Sequence, residues 1–493
     1  MAARFGSGVE SWELFNHMAE NDMAMVAPGG ATVGANGGWF GSGGHGTLTS
    51  LYGLGSDQAL SLNVVTADGK LVEANVNHNR DLFYAFRGGG AGKFRPITQN
   101  TSPYRSSELT LFSPGTYGIV TSVVAKAYPS INLTASTFTL TTNPLPFPPL
   151  PNITFPFPGN LTGNWTGNWT LPFYNLTRPR PPTTFPGVLN DTDLFWAGVS
   201  TYYRHAPAIV NAGGLGYGYI YPLGNNSFSF TSTATFPGKT PQQATALMQP
   251  VYDNLNRLGI HLSNPPVLFS TPYARGHRAT AGAALADTRY RSRLFPRDNW
   301  RDDGVWNDTM RAIRAASEAG FTFHHLQYGP SEAVAGWPGR DSGVNPAWRR
   351  TAMHAALMDV QPAGLSGAEA RARDAKARVY MDALRAVTPG GGSYMNEGDP
   401  TEPDWQAAFY GETYDRLLEI KRKWDPWGLF WAPTTVGSEA WAVRTADGYP
   451  GSQNGRLCRT SKGDDDDDDG DGGFGFGWGG GWGSDSGRTP ATD

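Results

Sequence analysis

Gly29-Gly30-Ala31-Thr32-Val33-Gly34-Ala35-Asn36-Gly37-Gly38-Trp39-Phe40-Gly41-Ser42-Gly43-Gly44-His45-Gly46 is the stretch on which the reading of this chain turns. Glycines at this density let the backbone take positive φ and come close to a flat or anionic ligand without a Cβ in the way. Successive N–H groups in such turns make concavities suited to pyrophosphate oxygens. No P-loop Lys-Ser/Thr follows, and the spacing does not fit a strand–GxGxxG–helix unit, so nucleotide-triphosphatase and Rossmann readings are excluded. By itself the stretch reads equally well as a surface loop.

Its surroundings supply secondary structure. Val9, Leu14, Phe15, Met18 and Met25 predict an amphipathic helix and a short strand over residues 9–26. Ala59–Thr66 and Lys70–Ala74 read as strands joined at Asp68-Gly69, a strong hairpin signal. A short helix is expected over Asp81–Phe86 and a β-branched strand over Gly118–Tyr128. Farther on, the pattern predicts a helix over 241–258, a strand over Phe321–Tyr328, a long helix ending near Arg385, and a helix over 404–424 stopped by Asp425-Pro426.

The order Leu51-Tyr52-Gly53-Leu54-Gly55-Ser56-Asp57-Gln58, Asp81-Leu82-Phe83-Tyr84-Ala85-Phe86-Arg87-Gly88-Gly89-Gly90 and Gly115-Thr116-Tyr117-Gly118-Ile119-Val120-Thr121, following the glycine loop, resembles a known family. It is similar to the PCMH-type FAD domain of the berberine-bridge-enzyme-like oxidases. The far half agrees, in Tyr394-Met395-Asn396-Glu397-Gly398-Asp399, Tyr414–Lys421 and Trp424-Asp425-Pro426-Trp427-Gly428. The resemblance covers roughly residues 5–130 and 190–435. It implies an α+β chain: a two-domain, vanillyl-alcohol-oxidase-like FAD-binding fold with an antiparallel substrate sheet covered by helices.

The domain expectations follow. Residues 1–130 form an incomplete FAD-binding domain, 131–190 a Pro/Asn-rich glycosylated insertion, 191–393 the substrate domain, 394–445 a segment returning to the FAD domain, and 446–493 a disordered acidic and Gly-rich tail. Residues 92–114 interrupt the family pattern, and their removal restores Gly-Gly-Gly-Ala-Gly-Thr-Tyr-Gly. Codons such as GGTAAGTTC for Gly92-Lys93-Phe94 would supply a splice donor, so this segment is expected to be translated intron.

By the same resemblance Thr32, Val33, Gly34, Gly37, Gly38, Gly43 and Gly44 wrap FAD, Gly118, Ile119 and Val120 lie along its adenine end, and Leu54 and Asp57 belong to the loop closing the site. Asn396 returns to the flavin ring, and Tyr394 and Glu397 flank it as candidates for the catalytic base. A plain surface role for Glu397 is an equal alternative, and core packing suffices for Ile119 and Val120. The family reaction is oxidation of a C–H next to O or N in an alcohol, carbohydrate or secondary metabolite. Hydride goes to flavin N5 and O2 reoxidises the flavin. Gly30 stands where relatives place a flavin-linked Cys, so no cysteinyl bond is expected. The early Gly-Gly-His loop is expected upstream of Phe5-Gly6, the chain being truncated at its start. His45 is read as a structural loop residue.

On Thr322–Tyr328, His325 and Gln327 face one way and His324 and Tyr328 the other. One face is expected to line the substrate pocket, and the sequence does not say which. Tandem histidines on a strand are not spaced for a metal, and none is expected.

Bulk composition agrees with a large globular protein. The 493 residues, 39% hydrophobic with 16 Trp, 20 Tyr and 25 Phe, are ample for buried cores, and 63 Gly with 37 Pro point to many loops. A net charge of −4 leaves no basic footprint for nucleic acid, and no apolar run is long enough for a membrane span. Cys458 is the single cysteine, so no internal disulfide is possible. Sequons at Asn132, Asn152, Asn160, Asn164, Asn168, Asn175, Asn190, Asn225 and Asn307 predict passage through the secretory pathway. The expectation is a secreted monomer acting on a small molecule with O2. Two alternatives stand beside it: a flavin-free, inactive secreted glycoprotein, and the product of a defective gene model.

Overall fold

A computed structural model describes residues 1–90, 115–142, 189–261, 269–276, 288–362 and 364–460. The segment expected to be intron, the heart of the glycosylated insertion and the acidic run Asp464–Asp469 lie outside the described residues. The strands, in chain order, begin with β1 (Ala2–Gly6), β2 (Met23–Ala24), β3 (Ala59–Val65), β4 (Leu71–Asn75), β5 (Ile119–Lys126) and β6 (Tyr128–Pro129). They continue with β7 (Asn132–Thr141), β8 (Leu215–Gly224), β9 (Ser227–Pro237), β10 (Phe269–Pro272), β11 (Thr288–Pro296), β12 (Thr322–Gln327) and β13 (Thr351–Val360). A last pair is β14 (Trp441–Arg444) and β15 (Arg456–Arg459).

The first unit is a four-stranded sheet ordered β1-β5-β3-β4, every pair antiparallel. The Asp68-Gly69 turn joins β3 to β4 with Gly69 at φ +79°, the left-handed position a hairpin of this kind needs. The helix Ser11–Glu20 buries Leu14, Phe15 and Met18 against it. Its core also takes in Met395, Phe409, Tyr410, Leu417, Ile420 and Val436, so the segment after residue 394 packs on the same unit.

The second unit is a seven-stranded antiparallel sheet ordered β10-β7-β9-β8-β12-β13-β11. Alternation along β9 turns Phe228, Phe230, Ala234 and Phe236 to one face and Ser229, Thr231 and Thr233 to the other. The apolar face is covered by the helices Thr192–Arg204, Pro241–Arg257, Asp303–Glu318 and Gly367–Ala386, whose inward side chains share one core with it. Each buried Phe of this face contributes roughly 1.5–3 kcal/mol by leaving water. The longest of these helices starts at a reciprocal cap, in which the Glu369 N–H donates to Ser366 Oγ at 3.3 Å and the Ser366 N–H to Glu369 Oε2 at 2.8 Å.

Two expectations are corrected in detail. Residues 404–424 are not one helix: Trp405–Tyr410 stops at Gly411, whose φ of +59° lies outside helical space, and Tyr414–Trp424 begins anew. Residues 446–460 are ordered, because Arg456–Arg459 pairs antiparallel with Trp441–Arg444. Arg459 lies 4.9 Å over the Trp441 ring there, a contact that composition alone did not suggest.

Candidate active site

The glycine loop is built around one buried ring. Trp39 fills the space that side chains at 44 and 55 would need: a Cβ would stand 2.7 Å from Trp39 at Gly44 and 2.3 Å at Gly55. The Trp39 indole N–H donates to the His45 carbonyl at 3.2 Å. The ring thus fixes the turn that projects His45 out of the loop. Gly44, at φ +70°, is the residue that permits the turn.

His45 lands at the junction of the two units. Its Nε2 lies 3.0 Å from Glu397 Oε1, and its ring stacks on Tyr328 at 5.1 Å and meets Tyr394 edge-on at 5.1 Å. His354, from the middle of β13, approaches from below with Nε2 3.7 Å from Glu397 Oε2. Tyr394 is anchored through its backbone, its N–H donating to Ser292 Oγ on β11 at 3.0 Å. The Asn396 amide donates to the Tyr394 hydroxyl at 2.7 Å and to the Gly38 carbonyl at 3.3 Å, which ties the returning segment to the glycine loop.

The open face of the large sheet continues from this junction. Tyr217, Tyr219 and Tyr221 alternate along β8, and the Tyr217 and Tyr219 hydroxyls meet at 2.7 Å. The His324 ring stacks on Tyr219 at 4.3 Å, while its Nδ1 faces the Gly218 carbonyl at 3.1 Å. Tyr217 and Tyr221 remain 40% and 38% exposed, so the aromatic face is accessible. The neighbouring His325 points the other way, into the core, between the Tyr203 hydroxyl at 2.9 Å and Ser232 Oγ at 3.2 Å. The side of β12 next to the junction is therefore that of His324.

Charge at the junction is polarised. Burial alone would raise the Glu397 carboxyl, but His45, hydrogen-bonded to it, with His354 and His324 nearby, holds it down to about 2. Burial pushes His354 down to about 3 and His324 to about 4, the Glu397 charge opposing both shifts. Burial also raises the Tyr394 phenol far above its ordinary range. At neutral pH the junction holds a carboxylate, a neutral phenol and neutral imidazoles at 324 and 354.

The residues expected to hold FAD are distributed as follows. Thr32, Val33 and Gly34 are exposed on the rim of the loop, and Ile119 is exposed at the start of β5. The Ser7 hydroxyl bridges rim and strand, donating to the Val120 carbonyl and lying 3.5 Å from the Asn36 amide. Cβ atoms placed on Gly29 or Gly37 would meet nothing within 4 Å, so a flat ligand can lie against this rim. Gly38 accepts from Asn396, and Gly43 lies beneath Leu54, 3.7 Å from where its Cβ would stand. Gly118 packs so closely on β3 that a Cβ would stand 2.7 Å from Val64. Leu54 and Asp57 are wholly buried, Leu54 beside Tyr328 and Tyr394 and Asp57 against Arg349. They support the floor of the junction from behind.

Sequence reasoning passed over three groups. His45, expected as a structural loop residue, also sits at the centre of the junction. His354 had a signal, as the lone ionisable residue in Thr351-Ala-Met-His-Ala-Ala-Leu-Met, a largely buried stretch of β13 whose next charge is Asp359 near the strand's end. The alternation Tyr217-Gly-Tyr219-Ile-Tyr221 likewise marks one polar aromatic face.

Known proteins resemble this chain. Residues 1–75 match the family model of the FAD binding domain, and residues 393–437 that of berberine and berberine-like proteins. A FAD-linked oxidoreductase of Aspergillus clavatus, patO, is 28% identical over 93% of the chain and 66% of its own length. The VAO-type flavoprotein oxidase VAO615 of Thermothelomyces thermophilus is also 28% identical, over 93% of the chain and 66% of its own length. The chain spans about two thirds of the length of these curated relatives. The crystal structure of the VAO-type flavoprotein MtVAO615 from Myceliophthora thermophila superposes with a TM-score of 0.70 at 25% identity, covering 93% of the chain and 70% of its own. A carbohydrate oxidase from Microdochium nivale shares the fold, with a TM-score of 0.57 at 16% identity over 89% of the chain and 78% of its own. With an FAD-binding segment at one end of the described chain, a berberine-like segment at the other and the two meeting at His45, Asn396 and Glu397, the protein is similar to the berberine-bridge-enzyme-like, FAD-linked oxidoreductases.

Proposed function

We propose that the chain acts as an FAD-dependent oxidoreductase on a small molecule, oxidising a C–H next to oxygen or nitrogen. The observation that carries this is the meeting of the glycine loop with the returning segment, His45 Nε2 on Glu397 Oε1 at 3.0 Å, beside an accessible face of tyrosines. When bound, FAD would supply the hydride-accepting chemistry at the substrate carbon, with O2 as the final electron acceptor. The rim Thr32, Val33, Gly34 and Gly37, with Ile119 and Asn396, would hold it.

The chain's own residues supply position and a proton acceptor. Tyr217, Tyr219 and His324 offer ring faces and hydroxyls against which an alcohol, carbohydrate or secondary metabolite can lie. Tyr394, held as a neutral phenol, is a hydrogen-bond donor rather than a base. Glu397, ionised down to about pH 2, is too weak a base to act alone but suits the support of a protonated imidazole. With the Nε2–H of His45 donated to Glu397, Nδ1 is left free to take the substrate proton. The expectation that Tyr394 or Glu397 is itself the base thus becomes a His45–Glu397 pair assisted by Tyr394.

Secretion is part of the same reading. Four sequon asparagines fall among the described residues, Asn132, Asn190, Asn225 and Asn307, and every one is exposed. No helix among the described residues is long and apolar enough to cross a membrane.

The test is purification from a secreting eukaryotic host, followed by absorbance in the flavin bands and a peroxide assay over alcohols, oligosaccharides and amines. Copurifying or reconstitutable flavin and peroxide release with one substrate class are expected. A folded, colourless protein that takes up no flavin would overturn the proposal.

A further inference from the structure

The junction has a second property that the flavin reading does not use. Among the described residues His45, His354 and Glu397 form a group of imidazole and carboxylate donors whose ligand atoms all lie within 4.8 Å of one another. Two donors sharing one transition-metal ion at about 2.1 Å each stand roughly 3–4 Å apart, so closing the group on an ion asks for shifts of less than about 1 Å.

Unpaired atoms point the same way. His354 is wholly buried, yet neither ring nitrogen has a hydrogen-bond partner, and Glu397 Oε2 beside it has none either. Their separation of 3.7 Å is too long for a hydrogen bond. A buried imidazole left bare on both sides is destabilising at each orphaned atom, which has given up its hydration for nothing. A cation between Nε2 and Oε2 would relieve both at once. The other two donors are only partly screened, His45 at 15% and Glu397 at 25% side-chain exposure, so ion and solvent have an entry path.

We infer that His45, His354 and Glu397 form a binding site for one divalent transition-metal ion of the zinc, cobalt or nickel class. Two imidazoles and a carboxylate suit these metals, and three protein ligands leave coordination positions open. This runs against the expectation, drawn from the tandem histidines of β12, that the chain holds no metal. The three ligands come from a loop, a strand and a returning segment far apart in sequence. Metal ligation engages the same His45–Glu397 contact as the proton-accepting pair, so the two states exclude one another and the ion acts as an inhibitor of that pair.

The experiment is Co2+ titration of the chelator-treated, full-length protein, followed by visible d–d absorption, with Zn2+ competition in a calorimeter. One equivalent of saturable binding is expected, and affinity is expected to fall about tenfold or more in E397Q and H45Q. Both positions are partly exposed, so the variants are expected to fold, which thermal melting checks. H17A, at an exposed helix histidine, serves as a control and is expected to bind as the parent does. No saturable binding by the parent, or unchanged binding in both E397Q and H45Q, would overturn the site. Flavin absorbance of the same samples keeps the readings apart. A yellow protein without metal binding removes only the metal, and a colourless one that binds Co2+ removes only the flavin.

Discussion

Asp57 and Arg349 meet across the two units through parallel hydrogen bonds, Nη1 to Oδ2 at 2.7 Å and Nη2 to Oδ1 at 2.8 Å, with both side chains buried. Removing one partner strands the other's charge away from water. D57N or R349M is therefore expected to lower the unfolding free energy by about 3–5 kcal/mol. R349K is expected not to rescue it, because one ammonium cannot match both carboxylate oxygens. Urea denaturation curves measure this, and a loss below about 1 kcal/mol would contradict a bridging role.

Asn396 makes its two contacts from one amide group, to Tyr394 and to Gly38. N396A is expected to cost roughly 1–2 kcal/mol in alignment of the returning segment. Flavin occupancy read by absorbance should drop by about tenfold while the melting temperature shifts by only a few degrees. Equal flavin content in the variant would count against Asn396 as a positioning residue.

On the rim, Val33 and Ile119 are exposed and carry little of the core. Substitutions such as V33E or I119E are expected to change stability by no more than about 0.5 kcal/mol, yet to abolish flavin retention by placing a carboxylate against the bound dinucleotide. The two quantities, melting temperature and flavin content, should separate cleanly.

Burial holds His324 neutral, its value lowered from the ordinary 6.5 to about 4. The folded state therefore disfavours the protonated form. Stability from this group is complete above pH 6.5 and is lost as pH falls toward 4. The groups facing it are Tyr217 and Tyr219 on β8, with the Glu397 and His45 charges at longer range. H324Q should flatten the fall of the melting temperature between pH 6.5 and 4, and a parallel slope in parent and variant would exclude it as the source.

Gly55 faces the Trp39 ring so closely that G55A is expected to cost about 1–3 kcal/mol through overpacking. Thermal melting tests this, with G69A at the exposed hairpin turn as a comparison for backbone strain alone.

Much of this architecture was legible in the residues because it is local. The β3–β4 hairpin is announced by Asp68-Gly69, and the helix Pro241–Arg257 by its spacing. The junction was only half legible. Glycine density located the loop, but which glycines face a ligand and which accommodate Trp39 depends on a ring that folds back over them. His354 could not be linked to His45 because 309 positions separate them and pairing along β13 decides the height at which it emerges. Choosing between His324 and His325 likewise needed the helix cover, since strand alternation defines two faces and not which one is dry.

Leu14, Phe15 and Met18 share one core with Leu417, Ile420 and Val436. During synthesis at roughly 5–20 residues per second, several hundred intervening positions must be made before that core can close. For a quarter of a minute or more, the emerging N-terminal unit therefore presents an unfinished greasy surface, while the seven-stranded sheet and its helices can already assemble. Such a chain is expected to rely on holdase chaperones during synthesis, and a product released from a ribosome stalled before residue 417 is expected to clump.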